Sequence, residues 1–171
     1  MNFLARKISR AKWEPTPYTG TDGIRADAIT GSCLRTENDT ISFWQCDQDV
    51  EDVSEVVLAL ASSMEKIETM HLILLDRDYL HENGFIIAIT PEHANTPVEN
   101  LRNRHVDLVD LTLVQIVFLA KEIANKVRQN SDFYLFTKRA VQEKLCSAVN
   151  SGRLTLDSLQ NKVKLEVQNS L

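Results

Sequence analysis

The sequence reads as an α+β protein: a small, mainly antiparallel sheet in the N-terminal half, packed against about four α-helices, three of them in the C-terminal half. Three observations carry that reading. The first half holds short apolar or β-branched runs such as TISFWQC, HLILL and FIIAI, the second half holds apolar residues at three- and four-residue spacing, and 43% of the 171 residues are hydrophobic. That is enough to bury a core within one domain of ordinary size, with residues 1–93 β-rich around a single helix and 97–170 helical.

Phe3 to Ile8 mixes apolar residues with Arg6 and Lys7, the composition of an edge strand protected from pairing with other chains. Trp13-Glu-Pro-Thr-Pro-Tyr18 cannot continue a helix, because each proline pushes its predecessor toward extended backbone. Gly20 to Gly23 is a turn, with extended pieces over Ile24 to Ile29 and Ser32 to Thr36, and Glu37-Asn38-Asp39 is a tight turn leading into a strand over Thr40 to Cys46. Ile41 and Phe43 share one face of that strand and Ser42 and Trp44 the other, so both faces are covered at least in part.

Val50, Val53, Val57, Leu60, Ala61 and Met64 form the stripe of an amphipathic helix running from about Asp49 to Lys66. The acids clustered at its first turn complement the positive helix N-terminus. His71 to Leu75 and Phe85 to Ile89 do not alternate with polar residues and so are expected as central strands, joined into a hairpin by DRDYLHENG with Asn83-Gly84 supplying the turn. Thr112-x-x-Gln115 is a capping box opening a helix to about Arg128, apolar nearly all round at first and therefore expected to be central and buried. A further helix over Asp132 to Val149 closes at Gly152. Leu156, Leu159 and Val163 then mark a last helix capped at Thr155, although Val163, Leu165 and Val167 also alternate like a strand.

The net charge of −5 argues against general binding to nucleic acid, whose affinity comes from many Lys and Arg contacts. Lys138, Arg139, Lys144, Arg153, Lys162 and Lys164 are diluted by acids, and the turn between their helices is longer than that of a helix-turn-helix. Cys33, Cys46 and Cys146 fit neither a disulfide framework nor a CxxC motif and suit a reducing cytoplasm, while no run of apolar residues is long enough to span a membrane.

Candidate chemistry centres on Asp76, Asp78 and His81. The run LILLDRD resembles the first motif of haloacid dehalogenase-type phosphatases, which implies Asp76 as nucleophile, Asp78 as acid/base and Mg2+ between substrate and carboxylates. The likeness stops there: Tyr79 and Leu80 stand where a small residue belongs, and no later strand carries paired acids. His71, His81, His93 and His105 are too widely spaced for a structural zinc site. Arg102, Arg104, His105 and Asp107 form a second polar cluster, suited to a salt bridge or to an anion at the following helix start. No complete catalytic set and no cofactor motif emerges. The expectation is a soluble, non-enzymatic protein-binding or regulatory module, an accessory, antitoxin-like or immunity-like partner of another protein, with self-association left open. A metal-dependent phosphohydrolase or nuclease using Asp76, Asp78 and His81 is the alternative. Arg6, Arg10, Trp13 and Tyr18 are the expected interface anchors, since Trp, Tyr and Arg dominate binding energies.

Overall fold

The computed structural model describes residues 1–14, 23–31, 33–34 and 36–171. Tyr18, the turn before Gly23, Ser32 and Arg35 lie outside them. The described residues form an α+β fold with six strands: β1 (Phe3–Ile8), β2 (Ile41–Cys46), β3 (Met70–Asp76), β4 (Ile86–Ile89), β5 (His105–Val109) and β6 (Phe133–Phe136). They also form seven helices: α1 (Ala26–Thr30), α2 (Val50–Ala61), α3 (Arg77–Glu82), α4 (Glu99–Arg102), α5 (Leu113–Gln129), α6 (Lys138–Asn150) and α7 (Asn161–Gln168). The four longest are α2, α5, α6 and α7, three of them in the C-terminal half as expected.

The strands make one sheet in the order β4-β5-β2-β1-β3-β6, and every neighbouring pair is antiparallel. Side chains alternate across it, so each strand feeds two cores. Leu72 and Leu74 of β3 and Trp44 and Cys46 of β2 pack with α2, α4, α6 and α7. Ile73 and Leu75, with Leu4, Ile41 and Phe43, pack on the opposite face under α1, α3 and α5. This is why HLILL lacks alternation: both faces of β3 are buried.

Several expectations give way. β1 is central, between β2 and β3, rather than an edge. Its charged residues are accommodated by pairing, Lys7 with Glu68 at 2.6 Å and Arg6 in the gap described below. β3 and β4 form no hairpin, since β1, β2 and β5 lie between them. Asp76 ends β3 and its side chain accepts from the Tyr79 N–H at 2.8 Å, which starts a helix where a turn was expected. α3 carries the chain across the sheet, and Gly84 takes its left-handed conformation (φ 79°) to end that helix. β4 is consequently an exposed edge strand and not a central one.

Ile24 to Ile29 contributes to α1 instead of an extended piece. HVDLV is a strand, and the aromatic run FYLF makes β6 where a helix from Asp132 was expected, with Thr137 capping α6 after it. α5 has the full Thr112–Gln115 capping box and Gly152 has φ 71°; the last helix forms, but it starts at Asn161 after a short 3-10 turn over Leu156–Ser158 and is not capped by the Thr155 side chain as expected. α5 is not buried all round, however. Ile116, Leu119, Ala120 and Ile123 face the sheet, whereas Leu113 and Val114 are 78% and 79% exposed. Among the described residues, no helix is long and apolar enough to cross a membrane.

Candidate functional site

Two features stand apart from the regular packing: a polar cluster where the sheet splits, and an apolar surface on α5.

β1 pairs with β2 only over Phe3 to Ala5, opposite Cys46 to Trp44, and beyond that the two strands part while β1 stays paired with β3. Arg6 enters the gap. Its Nε donates to the Cys33 carbonyl and its Nη1 to the Ser42 carbonyl, and its guanidinium lies 5.4 Å from the centre of the Phe43 ring. Burial brings its pKa down to about 10, which still leaves it charged at neutral pH. A cleft of about 410 Å³ opens beside it, lined by Glu37, Asn38, Ser42, His93 and Asp107 among others. The tight turn at the cleft rim is as the sequence predicts, with Asn38 and Asp39 at φ 51° and 56°.

Asp107 lies in β5 with its side chain 2% exposed, and its Oδ2 accepts from His93 Nδ1 at 2.6 Å. Burial alone would raise its pKa. The bond from His93 and the nearby Ser42 and Thr90 hydroxyls outweigh burial and hold the carboxyl below its usual range. Neither hydroxyl closes a hydrogen bond on Oδ1, which is buried without a partner among the described residues. His93 answers in the opposite sense, its pKa raised by the bond to Asp107. His105 is 2.9 Å from the Thr90 hydroxyl and 3.0 Å from the Thr90 carbonyl through Nδ1. A carbonyl can only accept, so the proton belongs on Nδ1, and burial lowers the pKa of this ring.

A His–Asp pair can hold or pass a proton at the free imidazole nitrogen. Nucleophilic catalysis also needs a hydroxyl or thiol within reach of that imidazole. Among the described residues no hydroxyl or thiol is hydrogen-bonded to His93.

The residues singled out from the sequence disperse. Asp76 is spent capping α3, while Asp78 and His81 sit exposed on that helix. Of the four histidines only His93 and His105 meet, and no group of three or more His, Cys, Asp or Glu residues among those described is arranged to hold a metal ion. Arg104 ties β5 to α2 through Asp52 at 2.6 Å, the salt-bridge reading of its cluster. Trp13 is 1% exposed, within the core under α5, so it offers no face to a partner. Arg10 bonds Glu14 at 2.8 Å and stacks over Phe133. Arg6 is held in the sheet as described.

The surface that does face outward is one the sequence reading placed inside. Leu113, Val114 and Val117 (40% exposed), with Phe118 and the stem of Lys121, line a shallow cleft of about 370 Å³ on the outer face of α5. Gln115 donates to the Gly84 carbonyl at 3.0 Å, and Tyr79 packs against Phe118 with ring centres 5.8 Å apart, so α3 flanks this surface.

The chain matches no family model, no curated protein and no solved structure.

The signal for the outer face was present as an excess of apolar residues. The first turns of α5 carry more of them than a helix resting one face on a sheet can bury.

Proposed function

We propose that this chain is a non-enzymatic protein-binding module, an accessory or regulatory partner of the antitoxin-like or immunity-like kind, working in a reducing, cytoplasmic setting. One observation carries the reading: Leu113, Val114 and Val117 stand exposed together on one helix although each would gain from burial. An evenly hydrated surface scatters such residues singly, and a contiguous patch is the usual mark of a docking face. The cytoplasmic setting rests on three cysteines that are free thiols, two of them buried. Binding is thereby moved from Arg6, Arg10 and Trp13 to α5.

The test is a photo-crosslinking residue placed at Val114, with a second at Arg139, which is exposed on α6. In cells expressing the chain, Val114 should yield a discrete crosslinked species that Arg139 does not, and Leu113→Glu should remove it. Equal labelling from both positions, or none from Val114, refutes the reading.

A further inference from the structure

The chemistry around the α5 surface specifies its occupant more closely; this step rests on the protein-binding reading. The exposed stripe runs from Leu113 to Lys121, about 12 Å along the helix at ~1.5 Å per residue, the length of two turns of a partner helix. Apart from the first-turn N–H groups of Leu113 and Val114, its main chain is bonded within α5 and its cap, so it presents side chains and no ladder of free N–H and C=O groups. Such a surface suits a helix, whose backbone is likewise satisfied, better than an extended strand.

The rim is acidic. Asp110 precedes the helix, Asp39 lies beside it through its carbonyl bond to the Leu111 N–H at 3.0 Å, and Asp78 and Glu82 project from the flanking α3. All four are exposed, and Lys121 is the base that lines the cleft. We infer that the α5 face docks an amphipathic helix of another protein, apolar on one side and basic along its flanks. A second copy of this chain is disfavoured, because it would bring two such acidic rims together, each from a chain of net charge −5.

The probe is a displayed library of helical peptides, apolar at i, i+3, i+4 and i+7, with Lys or Glu randomised at the flanking positions. It is selected against the full chain, with Val114→Glu as counter-selection. Lys-flanked peptides should be enriched, bind at least about tenfold more weakly to Val114→Glu, and weaken as salt rises from about 50 to 300 mM, as exposed charges become screened. Asp78→Lys combined with Glu82→Lys should shift the selection toward Glu flanks. Leu113→Gln, a milder change, provides a second loss-of-binding variant, and thermal melts check that each variant folds.

Enrichment of acidic or neutral flanks, without salt dependence, overturns the basic-helix inference while leaving a protein-binding face intact. Peptides that bind Val114→Glu and wild type alike, or no enrichment at all, overturn both. Sedimentation showing a micromolar dimer lost in Val114→Glu would assign the face to a second copy, and recovery of the chain on lipid vesicles through Leu113 would assign it to a membrane; either result overturns the inference.

Discussion

Asp107 and His93 show how one buried carboxylate organises its neighbours. Asp107 is held below its usual pKa, so its share of stability is present above about pH 4 and lost as pH falls through the depressed value. His93 is raised, so its share is present below about pH 6.5 and lost as pH climbs through the elevated value. The pair is therefore strongest between those limits. His93→Gln is expected to lower the urea midpoint more at pH 5.5 than at pH 9, and a larger loss at pH 9 would contradict the assignment. Glu55 is a second case. Arg153, bonded to both of its oxygens, and Lys144 at 2.8 Å bring its pKa to about 2 against the cost of burial. Its contribution holds above pH 4.5 and disappears toward pH 2, so Glu55→Gln should cost about 1 kcal/mol at pH 7 and converge with wild type in acid melts.

At the level of the elements, α5 depends on its cap. The Thr112 hydroxyl accepts from the Gln115 N–H, and the Gln115 side chain returns to the Thr112 N–H at 2.9 Å while also holding Gly84. Thr112→Ala should cost about 1 kcal/mol in chemical denaturation. It should also speed amide exchange in the first turn of α5, ahead of any change at Ile123. The capping box was legible in four letters because its hydrogen bonds are local. TISFWQC, HLILL and the stripe of α2 were legible for the same reason, since burial on one or both faces leaves a period in the sequence. HVDLV carried the alternation of a half-buried strand too, but its charges were read as a polar cluster, and Asp107 was thereby placed before a helix instead of inside a sheet. Asp-Arg-Asp at the end of β3 looked catalytic because N-capping and metal binding both call for a carboxylate after an apolar run. The competing helix start, Asp76 to the Tyr79 N–H, decides between them only in three dimensions.

For the whole molecule, strand order was the part that no local signal encoded. β3 and β4 are close in sequence and three strands apart in space, and the crossing made by α3 turns β4 into an edge. An apolar strand at an edge and an apolar strand in the centre are spelled alike, and α5 repeats the ambiguity at helical period. What covers a face is settled by the neighbours the topology supplies.

The place of β1 has a practical consequence for handling the protein. With β1 between β2 and β3, the first eight residues act as a keystone: remove them and the sheet is left as a trio, β4-β5-β2, and a pair, β3-β6, with no strand ladder among the described residues to join them. Deleting residues 1–8 should therefore abolish the cooperative thermal transition, whereas removal of residues 169–171, beyond the end of α7, should leave it in place. Trimming or redesign of this molecule belongs at its tail, because its opening residues are its centre.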